Sequence, residues 1–272
     1  MKLENPVKRL ISELREERKK LKSDISIERF MYISSPINGV YEKHLKYICD
    51  KLDISYKSTN ILNSSIEFNV IEEIIRSSEA DGVLYNCPFI SDGYVGQLLQ
   101  FIDPKKDIEC ITPKIYGEYM CNMIHNIKPC VSQVIVQTLL MNGRINEEQK
   151  FLIITPEHLY LNSRKLCSTL HNSHCIKFIS NTSPDLIPEL YNSDVIISFG
   201  FNTTRRILRD SSWMQETLGD VVVLDFGYTP GCQSPSIDES FYDNKTIHYN
   251  LNEGLMDMYI ISAIKNLFNK LK

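Results

Sequence analysis

The stretch Ala80–Phe89 constrains the fold of this chain more than any other. Val83, Leu84 and Tyr85 form a short apolar run, opened by Asp81-Gly82 and closed by Pro88. An apolar run bounded by turn residues on both sides is the pattern of a buried strand. Proline has no N–H and is excluded from the interior of a central strand, so Asn86-Cys87-Pro88 is expected just past the strand's carboxyl end. In an open α/β sheet that end is where ligands bind. Asn86 is therefore the first polar side chain of interest, although an asparagine there can also serve only to tie down a turn.

Helical and strand patterns alternate on both sides of this run. Asn5–Lys22 is predicted helical, with Pro6 in its first turn and Val7, Leu10, Ile11 and Leu14 at helical spacing. Ile27–Ser34 reads as a strand, Ser35–Gly39 as a loop and Tyr41–Leu52 as a helix. Ser55–Leu62 reads as a strand and Phe68–Ser78 as a helix, with another helix near Gly93–Phe101. This order argues for a parallel sheet with helices on both faces. Lys105–Pro113 reads as irregular, and Val131–Met141 as a helix opened by Pro129-Cys130 and closed by Asn142-Gly143. From Lys150 the alternation resumes, with strands at Phe151–Ile154, Cys175–Ile179, Asp194–Ser198 and Val221–Asp225. Thr155-Pro156 has the chemistry of a helix start reaching to about Leu170. Ile187–Leu190 is a helical turn, Ser211–Leu218 a helix, Gly227–Thr246 a loop and Leu255–Leu271 the closing helix. The predicted class is α/β in two lobes, each a mainly parallel sheet flanked by helices.

Charge and composition narrow the function classes. A chain of 272 residues with 43% hydrophobic residues can bury a sizeable core. A net charge of −4 gives no reason to expect nucleic acid as a partner. No apolar run reaches the roughly 18 residues of a membrane helix. Glu4, Lys8 and Arg9 interrupt any signal-peptide core, and Glu13, Glu16 and Glu17 are foreign to an organellar presequence. The expectation is a soluble cytoplasmic protein without membrane partners. Its eight cysteines include no Cys-x-x-Cys and read as reduced thiols. Cys167, His171, His174 and Cys175 cluster, but their spacing matches no standard zinc site, so no metal is expected. His125 is expected in a loop or core role, Asp194 in capping a turn, and Arg205, Arg206 and Arg209 on a solvated face.

Several of these stretches, in this order, resemble the bifunctional methylenetetrahydrofolate dehydrogenase/cyclohydrolase family. Its Asp-Gly-(Ile/Val)-Leu-Val-Gln-Leu-Pro is similar to Asp81–Pro88, and its Lys-Asp-Val-Asp-Gly-Phe-His-Pro to Lys106–Pro113. Its Tyr-x-x-x-Lys helix matches Tyr41, with Leu45 at the lysine position. Its Pro-Cys-Thr-Pro matches Pro129-Cys130, its Ala-Asp-(Ile/Val)-(Ile/Val) strand resembles Asp194–Ile197, and its Val-Ile-Asp-Val-Gly resembles Val223–Gly227. The resemblance implies a folate-type lobe of residues 1–142 plus 252–272, and a Rossmann-like nucleotide-binding lobe of residues 145–248. It also implies NAD or NADP as cofactor if the chain is active, a folate-type small molecule as ligand, and a homodimer. A cleft lined by Tyr41, Asn86, Pro88 and Glu109 is expected, with Tyr41 stacking on a flat ring, Asn86 donating a hydrogen bond and Glu109 gripping a pterin edge.

The departures from the family pattern concern chemistry. The family lysine is the central proton-transfer group of the cyclohydrolase step, and Leu45 has no titratable group. Lys46 lies about 100° further round the helix and points elsewhere. His44, three residues after Tyr41, shares Tyr41's face and is the substitute candidate, though a surface histidine is the commoner case. Asp107-Ile108-Glu109-Cys110 is closer to the Asp-Val-Glu-Gly of a dehydrogenase-only branch. At the family's glycine-rich phosphate loop stand Thr155, Pro156 and Glu157, with both glycines gone. Pro156 removes an N–H donor and Glu157 puts an anion where a phosphate would sit. Of Pro-Gly-Gly-Val-Gly-Pro-Met, only Gly254 and Met258 survive over Asn252–Met258. Two readings stand. One is a non-catalytic descendant that binds a small ligand or a partner; the other is a dehydrogenase that has lost its cyclohydrolase activity.

Overall fold

The computed structural model describes residues 3–21, 24–31, 36–61, 68–85, 97–143, 148–155, 175–180, 182–199, 218–227, 244–251 and 254–272. The chain divides into two compact units. One comprises Asn5–Gln133 and Asp257–Lys272, the other Met1–Glu4 and Val134–Met256.

In the unit that holds Asn5–Gln133, β1 (Ser26–Met31) is the middle of a three-stranded parallel sheet. β2 (Ser55–Asn60) and β3 (Gly82–Leu84) flank it in the order β2-β1-β3. Ile27 to Phe30 are all buried, as a strand covered on both faces requires. β2 is polar and half-exposed, which suits an edge strand that must resist further pairing. α1 (Glu4–Arg18), α2 (Pro36–Leu52) and α3 (Phe68–Arg76) supply the cover. Phe30, Ile71, Ile75, Val83, Tyr85, Leu98 and Ile102 share one core cluster. Each such side chain contributes about 1.5–3 kcal/mol relative to leaving it exposed.

Two expectations in this unit are corrected. Ser35–Gly39 is not all loop, because α2 begins at Pro36: proline's fixed φ and missing N–H suit a first helical turn. Pro113 likewise opens α4 (Pro113–Met120), which no periodicity announced, since Ile115 is its one buried residue. α5 (Cys130–Met141) ends as expected at Asn142-Gly143, where Gly143 takes φ +63 and both N–H groups bond carbonyls of the last turn.

In the other unit, β4 (Lys150–Thr155), β5 (Cys175–Ser180), β6 (Val195–Ser198), β7 (Val222–Asp225) and β8 (Ile247–Asn250) form a wholly parallel sheet. Its order is β5-β4-β6-β7-β8. β4, β6 and β7 read as continuous apolar runs because both of their faces are covered. Asp194 accepts from the Lys150 N–H at 2.9 Å, a bond to the start of β4 and not the local turn cap expected of it. α6 (Leu186–Tyr191) packs Leu186 and Leu190 on this sheet's core. β8 went unpredicted: its Ile-His-Tyr-Asn is half polar, and Tyr249 and Asn250 are its buried residues.

The closing helix α7 (Leu255–Leu271) has the predicted span. Gly82 shows how closely it approaches β3. A Cβ there would lie 3.0 Å from the Ile108 side chain and 3.3 Å from that of Leu267. Among the described residues, no helix is long and apolar enough to cross a membrane.

Candidate functional site

The loop after β3's neighbouring segment builds the site. Asp107, almost fully buried, collects the Thr112 N–H at 2.8 Å, the Ile111 N–H at 3.0 Å and the Glu109 N–H at 3.1 Å. The Thr112 hydroxyl adds a fourth bond at 2.7 Å. This arrangement bends residues 107–112 into a rigid hook that holds Glu109 inward. Cys110 in the hook adopts φ +60, a left-handed conformation that costs a non-glycine residue about 1–2 kcal/mol. It occupies the position of the glycine in the resembled motif, so the hook keeps that backbone shape without the residue best suited to it.

Glu109 is buried, and both of its oxygens are engaged from within the unit. One accepts the Tyr85 N–H at 2.5 Å, and the other accepts the Tyr259 hydroxyl. The expectation of an acid reaching out to a ligand edge is corrected accordingly: the carboxylate is held by protein donors. Burial first, then the Glu109 charge, pushes the Tyr259 hydroxyl well above its usual pKa. It therefore stays protonated and able to donate.

Tyr41 is buried close by, 3% exposed. The Arg29 guanidinium sits 4.6 Å over its ring, and the Tyr259 ring meets it edge-on at 6.4 Å. An open stacking platform is not what this geometry gives; one face of the ring is covered by a buried cation. Burial, followed by the Glu109 charge, raises the Tyr41 hydroxyl well above its usual value, with Arg29 acting in the opposite direction. The Tyr41 Oη has no hydrogen-bond partner among the described residues. Buried hydroxyls are nearly always paired, so this is the feature of the site that most asks for a ligand.

One turn along α2, His44 Nδ1 meets Asp257 Oδ1 at 2.6 Å, with side chains 32% and 20% exposed. The hydrogen bond to Asp257 raises the His44 pKa, while partial burial works against it. Leu45, at the lysine position, is fully buried in the core, and Lys46 is exposed. The site thus gathers Tyr41, His44, Glu109, Arg29, Asp257 and Tyr259. The last three were missed in the sequence. Asp257 was legible as a carboxylate in place of a family proline; Arg29 and Tyr259 sit inside apolar patterns that read simply as core. Asn86, Pro88 and Glu157 lie outside the described residues, as do Cys167, His171, His174 and Arg205, Arg206 and Arg209. Cys175 and His125 are exposed, and no metal-holding group of three His, Cys, Asp or Glu occurs among the described residues.

In the five-stranded sheet the direction of strand order reverses between β4 and β6. Doubly wound sheets of this order bind ligands at that point, at the carboxyl ends of the strands. Thr155, Ser198 and Asp225 end β4, β6 and β7 there, and all three are fully buried. Phe199 and Phe226 follow the last two and stack at 5.4 Å.

The two units are both α/β: one holds a doubly wound parallel sheet, the other a smaller parallel sheet with a buried tyrosine–glutamate hook. No protein-family model matches the chain. It is 24% identical over 225 residues to the bifunctional protein FolD of Lactobacillus acidophilus, spanning 79% of this chain and 75% of that one. To FolD of Methanosphaerula palustris it is 23% identical over 245 residues, 88% of this chain and 84% of the other. Among solved structures, it resembles a 5,10-methylenetetrahydrofolate dehydrogenase of the silkworm Bombyx mori with a TM-score of 0.77 at 14% identity, covering 98% and 95% of the two chains. The Trypanosoma brucei dehydrogenase-cyclohydrolase, solved with NADP and an inhibitor, gives a TM-score of 0.75 at 14% identity, covering 100% and 96%. In sequence and fold the chain is similar to methylenetetrahydrofolate dehydrogenase/cyclohydrolase proteins.

Proposed function

We propose that this chain is a ligand-binding descendant of its family, with residues 1–142 plus 252–272 as a folate-type lobe, and that it performs neither the lysine-dependent nor the nicotinamide-dependent chemistry. The observation that carries this reading is Leu45, fully buried where the family has its proton-transfer lysine. An alkyl side chain sealed in the core cannot move a proton. The unpartnered Tyr41 hydroxyl supports a retained small-molecule site.

A nicotinamide dinucleotide needs N–H donors after the first strand of its lobe. Here that strand ends on the buried Thr155, followed in sequence by Pro156, without an N–H, and Glu157, an anion. This donor set does not suit a pyrophosphate. The strand order of the five-stranded sheet favours the second reading, a dehydrogenase using NAD or NADP without cyclohydrolase activity, because it keeps a switch point where a dinucleotide could lie.

One experiment separates them. Purified protein is incubated with methylenetetrahydrofolate and NAD or NADP, and nicotinamide reduction is followed; calorimetry with tetrahydrofolate is run in parallel. The expected result is folate binding without reduction. Steady reduction of either cofactor overturns the non-catalytic reading and establishes the second. The family resemblance further suggests a cytoplasmic homodimer, which sedimentation tests for oligomeric state and cell fractionation for compartment.

A further inference from the structure

The starts of β1 and β2, with the residues that follow α3, line a cleft of about 720 Å³. Volumes of this order hold small-molecule ligands. The cleft lies at the amino ends of the three-stranded sheet, whereas the Glu109 hook bonds Tyr85 just past the carboxyl end of β3. Its origin is local. Side chains alternate along a strand, and β1 pairs with β2 in register, so Ser26 and Glu28 share a face with Ser55 and Lys57. α3 sets Ile71 and Ile75 against Phe30 and Val83 further along and ends at Arg76. The chain then passes through Ser77, Ser78 and Glu79, which form the cleft's other side.

Glu28 is the chemical centre of this cleft, 5% exposed. Its Oε1 accepts the Thr59 hydroxyl at 2.5 Å and the Lys57 ammonium at 2.9 Å. No hydrogen bond reaches Oε2 from the described residues. Burial raises the Glu28 pKa, but the Thr59 and Ser78 hydroxyls and Lys57 outweigh it and hold the carboxyl below its usual value. The group is therefore a carboxylate with one oxygen still short of a donor. The Ser78 hydroxyl, also buried, stands near this carboxylate yet closes no hydrogen bond among the described residues. Ser55 and Ser77 have spent their hydroxyl hydrogens on the Ile25 and Ile74 carbonyls, each at 3.0 Å, and so meet the cleft as acceptors. Lys57 is the lining cation, set against Glu28 and Glu79, and the carboxyl end of α3 adds partial negative charge. Lys106 nearby is engaged by the Ser78 carbonyl. The lining thus presents acceptors and excess negative charge.

We propose that this cleft binds a small hydroxylated primary amine of the amino-sugar type, its ammonium on Glu28 Oε2 and its hydroxyls on the serine oxygens. No bond is made or broken. The site is separate from the one assigned to folate and does not depend on that reading.

The test is calorimetry with glucosamine and with 2-deoxystreptamine, using glucose and N-acetylglucosamine as neutral counterparts. At least one amine is expected to bind, roughly tenfold or more tightly than either neutral sugar, as a charge-assisted hydrogen bond implies. E28Q keeps the side chain's shape and removes its charge, and should weaken that binding by roughly tenfold or more. K57M removes a competing ammonium from an exposed side chain and should tighten it several-fold, a change that no folding defect imitates. Circular dichroism checks the fold of both variants. Failure of both amines to bind overturns the proposal, and so does equal binding of the neutral sugars or an affinity that E28Q leaves unchanged. Should E28Q not fold, K57M decides: unchanged or weakened amine binding overturns the proposal.

Discussion

At the scale of single residues, two side chains on adjacent positions of α2 have opposite fates. Leu45 is sealed in the core, and His44 reaches a carboxylate at the surface. Restoring the family residue by Leu45→Lys is therefore expected to lower stability by several kcal/mol, because an ammonium would be buried without a partner. A thermal melt checks this, and a gain of methenyltetrahydrofolate hydrolysis without destabilisation would contradict it. The His44 pair gives a pH signature. Asp257 raises the folded-state pKa above the ordinary histidine value of 6.5. The pair's stabilisation is then fully present below the unfolded value and fades as pH rises through the folded one. Asp257→Asn should cost up to about 1 kcal/mol near pH 6, since the pair is partly screened by solvent, and close to nothing near pH 9. Urea melts at the two pH values measure the difference. The sequence put His44 on Tyr41's face, but no local pattern could show that a residue 213 positions later would meet it.

At the scale of elements, α7 does more than cover a sheet. Asn266, almost fully buried, donates to the Ile108 carbonyl at 2.9 Å and the Lys128 carbonyl at 2.8 Å. Its own oxygen accepts from the Lys128 N–H at 3.2 Å and from Gln133 Nε2 at 3.1 Å. One side chain thus ties the helix to the hook that carries Glu109 and to the start of α5. Asn266→Ala is expected to cost about 1–3 kcal/mol for each buried group left unpaired. A lowered urea midpoint at unchanged slope would show that stability rather than compactness has changed. The span of α7 was legible, because Met258, Ile261, Ile264 and Leu267 recur at helical spacing. Asn266 was not, since a single asparagine within an amphipathic pattern reads as an exposed residue.

At the scale of the molecule, the five cysteines among the described residues give a map of what is closed. Cys49, Cys110 and Cys130 are buried, and Cys121 and Cys175 are exposed. Burial pushes the Cys49 thiol up to about 12 and raises those of Cys110 and Cys130 further from the reactive range. Thiolate is the reacting species, so a thiol reagent on the native protein should label Cys121 and Cys175 quickly. Cys49, Cys110 and Cys130 should be labelled only after denaturation, which peptide mass mapping can follow. Alternating strand and helix patterns determined the α/β class and most strand positions, because period-two and helical spacings are local properties of the chain. The order β5-β4-β6-β7-β8, the helix starts at Pro36 and Pro113, and β8 came only from the tertiary structure. So did the engagement of Glu109 by Tyr85 and Tyr259, the Arg29 cover on Tyr41 and the His44–Asp257 pair. Each of these depends on which distant segment is brought alongside, and that is set by how whole elements bury their apolar faces together, not by the residues on either side in the chain.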